Sequence, residues 1–406
     1  MTASSPCRRA RSPAAAPLDD EDLLAEILLR LSPQPSSLPR ASLVCTRWRG
    51  LVSDPRFLRR FRLRHGRRGP PLHGFIVRAR NTVRLWPVGD APDRVPAERF
   101  SSLQLGGAEW AFRLLDCRHG LVLISDTSRN KVLVWDSATG GQHWVAVPPG
   151  FYREKTPISW AVLRAAGEIH HFQLVLVGND ERKITRALAC VYSSETGEWG
   201  NFVSAALPTE VSTNGYPAML VRGKPAVMVG GSLYWLLTEN LSILEFDLER
   251  QRLAVIPLPV LVKKYSHCRF SIVRAAGGGL GFLFLPDYHA QLWKRHTDCD
   301  GVASWVLERT IELHKLLPLK SEEGRGPLMI AGFAEYNNVV FLWTVIGFFM
   351  VELESLKFKK LSEANFLSCR HPFESVYVAD RNTCHSTPAT TLIRDDTPFA
   401  GMTTPF

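Results

Sequence analysis

The sequence predicts a small all-α unit followed by an all-β propeller of antiparallel blades. Three observations carry this. Apolar residues recur at helical spacing within residues 18–65. From Pro70 onward that period disappears, and short β-rich runs alternate with Gly, Asn and Asp turns. Within the β-rich part, a unit of strand, turn, strand, turn and strand recurs five times.

Residues 1–17 are mostly Ser, Ala, Pro and Arg with no acid, and are expected to form a disordered tail. Asp19, Asp20, Glu21 and Asp22 then crowd a helix start, where the macrodipole favours anions. Leu23, Leu24, Ile27, Leu28 and Leu31 follow as an apolar stripe. Ser32-Pro-Gln-Pro35 ends that helix, because Pro cannot continue it. Ser36 or Ser37 is positioned to cap a second helix, with Pro39 tolerated in its first turn. Leu38, Ala41, Val44, Cys45 and Trp48 are expected on one face of it. Asp54-Pro55 reads as the cap and first residue of a last helix carrying Phe57 and Phe61. About three helices over roughly 45 residues bury too little surface to be robust alone. The wide apolar stripe therefore predicts a partner that covers part of it.

The first repeat unit runs Arg118-His-Gly-Leu-Val-Leu-Ile124, Val132-Leu-Val-Trp-Asp136 and Trp144-Val-Ala-Val-Pro148. The residues closing the middle strand of each unit are Asp136, Ser193, Asp247, Lys294 and Glu352. Their mean step is near 54 residues. Antiparallel sheets of this size repeated around an axis are propeller blades. The residues after Pro70 then make six blades, and the scatter in step also allows seven. A ring needs its last blade to pair with its first, since otherwise two sheet edges stay open. Residues 373–379 are expected to complete a blade with strands from residues 74–86. The β domain is placed at 70–386, with a flexible C-terminal tail at 387–406.

Hydrophobic residues make up 45% of the chain and charged residues 22%, which excludes wholesale disorder. The longest nearly apolar run, Val339 to Val351, is too short to span a bilayer. No apolar core of a secretory signal occupies residues 1–17. The eight Cys include no CxxC pair, so no disulfide framework or zinc finger is read, and reduced, mostly buried thiols are expected. The net charge is +10, of which residues 1–70 hold +8 (14 Arg against 6 Asp and Glu). Charge confined to one short segment weakens a nucleic-acid reading of the whole chain. Arg56, Arg59, Arg60, Arg62, Arg64, Arg67 and Arg68 are read as a solvated helix face over Phe57 and Phe61, ahead of an acidic-partner surface.

Signals for bond chemistry are weak. Trp135-Asp136 and Gly230-Gly231 each occur in one unit only and read as strand ends. Gly277-Gly-Gly-Leu-Gly281 lacks phosphate-loop spacing and reads as a hairpin turn. His267-Cys268 and the pair His296 and Cys299 hold ligand types without a second spaced pair, so no metal and no cofactor is expected. Neither a GxSxG elbow nor an HExxH helix is present.

The helical segment resembles the F-box. The residues that carry the likeness are Leu23-Leu24, Ile27-Leu28, Leu31, Leu38, Arg40, Val44-Cys45, Trp48-Arg49, Leu51 and Asp54-Pro55-Arg56-Phe57. The chain departs from the pattern where Asp replaces the usual Pro after the first Leu, with Leu18 one residue early, and where Thr46 replaces Lys. Residues 70–380 resemble the propeller-type F-box-associated domain of plant, especially grass, families. Matching segments include Leu115-Asp-Cys-Arg-His-Gly120, Ala189-Cys-Val-Tyr-Ser-Ser-Glu-Thr-Gly197, Leu244-Glu-Phe-Asp-Leu248 and Ser304-Trp-Val-Leu-Glu-Arg-Thr-Ile-Glu-Leu313.

The resemblance implies a non-catalytic substrate receptor of a Skp–cullin–F-box ubiquitin ligase. The adaptor-binding residues would be Leu18, Leu23, Leu24, Ile27, Leu28, Leu31, Leu38, Pro39, Val44, Cys45, Trp48 and Leu51. The propeller would hold the target protein, whose identity no residue names. No membrane partner is implied, and the expected location is the cytoplasm, the nucleus or both. Two other readings stay open. One is an F-box protein acting outside a ligase, as a scaffold or nuclear regulator. The other is a propeller enzyme, which an acidic cluster in the central channel would support.

Overall fold

The apolar stripe after Asp20 folds as helix α1 (Glu21–Leu28), and Asp20 is its N-cap. The Asp20 carboxylate accepts from the backbone N–H groups of Asp22 and Leu23, at 2.9 and 3.1 Å. In this computed structural model the described residues are 18–66, 69–95, 102–106, 111–137, 139–151, 158–164, 171–180, 185–208, 220–221, 223–237, 242–259, 267–318, 328–362 and 371–376. The predicted tails at 1–17 and 387–406 lie outside them.

Where about three helices were expected, four form. They are α1, α2 (Ser37–Ser42), α3 (Thr46–Val52) and α4 (Pro55–Gly66). The extra break falls at Cys45, whose backbone is extended and whose Sγ accepts from Trp48 N at 3.5 Å. Val44 and Cys45 therefore do not continue the face that Leu38 and Ala41 bury. Ser36 holds the N-cap position of α2 without a side-chain capping bond. Asp54 caps α4 through Phe57 N at 3.2 Å. On α4, Phe57, Leu58 and Phe61 are buried, while Arg56, Arg59 and Arg60 face out and Arg60 pairs with Glu26. The arginine face is thus solvated as expected at Arg56, Arg59 and Arg60; Arg62 and Arg64 are half-buried, and Arg67 and Arg68 lie outside the described residues.

Six antiparallel blades follow. Blade 1 is β1 (Leu72–Ala79), β2 (Thr82–Pro87) and β3 (Leu103–Gln104), completed by the last strand of the chain. Blade 2 is β4 (Phe112–Arg118), β5 (Leu121–Asp126), β6 (Lys131–Asp136) and β7 (Gln142–Ala146). Blade 3 is β8 (Ile158–Arg164), β9 (Phe172–Asn179) and β10 (Arg186–Ser193), with β11 (Glu198–Trp199) and β12 (Val203–Ala206) both on β10. Blade 4 is β13 (Val227–Val229), β14 (Ser232–Leu236), β15 (Ser242–Asp247) and β16 (Arg252–Pro257). Blade 5 is β17 (Phe270–Arg274), β18 (Leu280–Phe284), β19 (His289–Thr297) and β20 (Ala303–Glu312). A one-turn helix, α5 (Leu313–Leu316), leads to blade 6. That blade is β21 (Met329–Ala334), β22 (Val339–Thr344), β23 (Gly347–Glu352) and β24 (Phe358–Ser362).

The apolar core lies between blades rather than inside one. Val122 and Trp135 of blade 2 share a layer with Ile76 and Leu85 of blade 1. Leu123 and Val134, on the opposite face of blade 2, meet Trp160 and Leu174 of blade 3. Phe75 meets Phe341 and Phe348 of blade 6, its ring 4.4 Å from that of Phe341. Alternation along each strand therefore feeds two neighbouring layers, and burying both faces closes the ring. Trp199 Nε1 donates to Ala146 O at 3.1 Å, and Trp305 Nε1 to Pro257 O at 2.8 Å, so two outer strands also tie to the preceding blade.

The ring closes through β25 (His371–Glu374), which pairs antiparallel with β1 in the register Leu72 to Glu374, Phe75 to Pro372 and Ile76 to His371. This corrects the expected closing strand at residues 373–379. The strand starts two residues earlier and ends at Glu374, because Ser375 N turns to bond Pro71 O at 3.2 Å; residues 377–379 lie outside the described residues. The ladder is bulged at Gly74, where a Cβ would sit 2.0 Å from Trp86 O, so only glycine fits.

The helices sit against this closure. Ser36 N donates to Asp93 Oδ1 at 3.1 Å, and Val376 packs on the helical core. Pro70 O accepts from Asn337 Nδ2 at 2.9 Å. The Gly277 region is the β17–β18 hairpin turn, with positive φ at Gly277 and Gly278. The thiols depart from expectation: of the five described, Cys190 is buried, Cys117 and Cys268 are intermediate, and Cys45 and Cys299 are exposed. No described helix is long and apolar enough to cross a membrane.

Candidate functional site

Two places in the structure have the chemistry of a site. The first is the outer face of the helical unit. Its own core takes Leu24, Leu28 and Leu38, with Ala41, Phe57 and Phe61. Leu28 is 1% exposed and belongs to that core. Leu31, Trp48 and Leu51 are half-buried against that core. The remaining predicted contacts face out: Leu18, Leu23, Ile27, Pro39, Val44 and Cys45 are exposed. Sequence reasoning missed Leu43, which at 76% is the most exposed large apolar side chain among those described. Its signal was its pairing with Val44 just past α2. Arg47 spans the face, donating to Leu18 O and Asp19 O at 2.8 and 2.7 Å, which holds the chain entry against α3.

The second place is the central channel. Innermost strands from five blades line a cavity of about 170 Å³. At one end stands Arg118, 4% exposed. Asp116 and Arg118 lie two apart on β4, so the pleat aims both inward. Arg118 Nη1 donates to Asp116 Oδ2 at 2.5 Å, Nε to Glu335 Oε2 at 3.1 Å, and Nη2 to Glu335 and to Ala226 O at 2.7 Å. Asp116 Oδ2 also accepts from Val162 N at 2.8 Å, and Glu335 Oε1 from Met228 N at 3.1 Å. One guanidinium with two carboxylates thus links blades 2, 3, 4 and 6. Tyr336 OH and His119 Nε2 lie 3.2 Å apart beside it, and the Arg274 guanidinium sits 5.9 Å from the Tyr336 ring centroid.

Glu374, on the closing strand, accepts through Oε1 from Tyr336 N at 3.0 Å, Asn337 N at 2.9 Å and Asn337 Nδ2 at 2.7 Å. Burial sets the protonation of the channel. It raises Asp116 to about 6 against the pull of Arg118, and Glu374 to about 7. Burial lowers His371 to about 4 and His119 to about 3, with Arg118 adding to both, so both rings are neutral at pH 7. None of these channel residues was singled out from sequence as a site. The available signal was an Asp and an Arg two apart in the otherwise apolar Leu115-Asp-Cys-Arg-His-Gly120. The acidic cluster that would support a propeller enzyme does exist here, but two of its three carboxylates are engaged by Arg118.

A family model described as F-box protein AT5G49610-like, beta-propeller, matches residues 113–377, and an F-box-like model matches residues 21–64. The chain belongs to this family of F-box propeller proteins. Its helical unit is an F-box-like domain, and such a domain implies a Skp-type adaptor as partner. Blade 1 falls between the two matched segments and is joined to the second through β25. No curated protein matches the chain in sequence. Among solved structures, the Cps50 (Swd1) β-propeller domain of Myceliophteria thermophila is 13% identical with a TM-score of 0.38, over 73% of this chain and 88% of that one. Hsv2 of Kluyvelomyces marxianus is 11% identical with a TM-score of 0.22, over 60% of this chain and 99% of that one. Likenesses this loose have no bearing on function.

Proposed function

We propose that the chain is the substrate-recognition subunit of a Skp–cullin–F-box ubiquitin ligase, of the plant, grass-type group its propeller resembles. The F-box docks on the Skp adaptor and through it on a cullin, and the propeller binds the target protein. The observation that carries this reading is the outward apolar face Leu18, Leu23, Ile27, Leu43 and Val44, on a unit whose own core is already filled by other residues. Water-exposed apolar side chains on so small a unit are stabilised when a partner covers them. The subunit acts without bond chemistry of its own, by raising the local concentration of target lysines near a ubiquitin-loaded enzyme. The cytoplasm or the nucleus is its proposed place of action.

Leu23→Asp and Ile27→Asp are expected to abolish capture of a purified Skp adaptor while circular dichroism stays unchanged. Copurification of a cullin with the wild-type chain separates a ligase subunit from an F-box scaffold acting outside a ligase. Undiminished adaptor capture by both variants refutes the docking face.

A further inference from the structure

Among the described residues, one carboxylate of the central channel has no cation beside it. Asp116, Glu335 and Glu374 line the cavity against Arg118 and Lys224. Arg118 is engaged by Asp116, Glu335 and Ala226 O, as described, and Lys224 Nζ donates to Ile330 O at 3.3 Å. Glu374 differs. It is 8% exposed, yet its three donors are two backbone N–H groups and an Asn amide, all on Oε1. Among the described residues no cation pairs with it, and its Oε2 accepts no hydrogen bond. A buried carboxylate met only by neutral donors is costly to keep ionised, and a cation brought beside it relieves that cost.

The rest of the cavity suits the stem of such a cation. Ile272, Phe333 and Trp343 are among its apolar walls, and the Trp343 Nε1 is buried without a hydrogen-bond partner. Long basic side chains lay their methylenes on apolar walls, and aromatic faces attract the charged head. The cavity reaches Lys224, Cys268 and Met329, where innermost strands of blades 4, 5 and 6 begin. Pro70, Pro71 and Ser375, which join the channel to the F-box, lie at the opposite end. This part of the lining therefore lies at the end away from the F-box.

Building on the receptor reading above, we propose that this channel is the target-recognition pocket and takes one basic side chain of the target protein. Its ammonium or guanidinium group pairs with Glu374, and its stem lies against Phe333 and Trp343.

The test titrates the full-length chain at pH 8 with N-acetyl-arginine amide, N-acetyl-lysine amide and the neutral isostere N-acetyl-citrulline amide, each to millimolar concentration, read by thermal shift and NMR. The two cations are expected to bind about tenfold or more tightly than the citrulline amide, a ratio equivalent to about 1.4 kcal/mol. Glu374→Gln is expected to erase that preference. Met329→Trp, which fills the cavity and leaves Glu374 in place, is expected to lose all three ligands. Equal binding of the citrulline amide, a preference that survives Glu374→Gln, or no binding by any probe overturns the proposal. Adaptor capture is measured on the same preparations. If it persists while the cations fail to bind, the pocket proposal falls and the receptor reading stands; if capture alone fails, the reverse holds.

Discussion

The F-box and the propeller solve opposite problems with the same residue types. The helical unit carries apolar side chains on its outside: Leu23, Ile27, Leu43 and Val44 meet water. The propeller carries charges on its inside: Asp116, Arg118, Glu335 and Glu374 are all under 10% exposed. Each is unfavourable for an isolated domain. The difference is who provides the remedy. Inside the propeller the fold provides most of it, through Arg118 and backbone donors. Outside the F-box nothing in the chain provides it among the described residues, and a partner is needed. A misplaced polarity resolved within the chain serves stability, and one left open serves binding.

Four experiments break or sharpen that contrast, from the largest effect to the smallest. Deleting residues 371–406 removes β25, opens the edge of β1 and takes Phe373 out of the layer it shares with Ile76 and Leu85; loss of a cooperative unfolding transition is expected, followed by calorimetry. Retention of the wild-type midpoint would mean that the ring does not need this clasp.

Arg118→Met leaves Asp116 and Glu335 buried without their cation, which costs about 3–5 kcal/mol. Urea unfolding measures it, and a loss under about 1 kcal/mol would remove the channel charges from the list of structural supports.

The helical unit contributes a paired comparison. Leu28→Ala opens a cavity in the F-box core and is expected to cost about 2–5 kcal/mol of its stability. Ile27→Ala, one residue away and facing out, stays within about 0.5 kcal/mol yet weakens adaptor capture. Equal stability losses would place Ile27 in the core as well.

Glu374→Gln tests the channel carboxylate that has no cation among the described residues. Its folded pKa of about 7 lies above the ordinary 4.5. Its contribution is therefore fully present below pH 4.5 and is lost as pH rises to 7. The Gln variant keeps an acceptor oxygen for the Asn337 and Tyr336 donors. It should gain on the wild type between those limits by up to about 3 kcal/mol, then hold a constant lead. Melting curves at intervals from pH 4.5 to pH 8 decide this; a constant difference would mean Glu374 titrates normally.

Much of the fold was readable from the chain. The acidic start of α1, the Asp54-Pro55 start and a ring of about six blades follow from local rules of capping, period and turn chemistry. So did the pairing of residues near 373 with those near 74, because an open sheet edge is costly wherever it occurs. The candidate site was less readable. Leu24 and Leu28 point inward while Leu23 and Ile27 point outward on the same helix. A stripe so wide does not state which edge its own core will use. The break at Cys45, which sends Leu43 and Val44 outward, rests on one extended residue and a sulfur acceptor. Glu335 meets Arg118 only after the chain has gone round the ring, and Glu374 meets Asn337 from the closing strand, 37 residues on, so no local pattern marks them.

The seam between the two domains has a mechanical consequence. Ser36 is held to Asp93, Val376 enters the helical core, and Pro70 and Pro71 are bound to Asn337 and Ser375. A body pinned at several separate points does not swivel as a ball on a string does. Whatever the propeller grips is carried at a fixed bearing from whatever the helices grip, as on the arm of a crane. On the receptor reading proposed above, selection then has a geometric part: two target proteins gripped equally well differ by where their lysines lie relative to that fixed bearing.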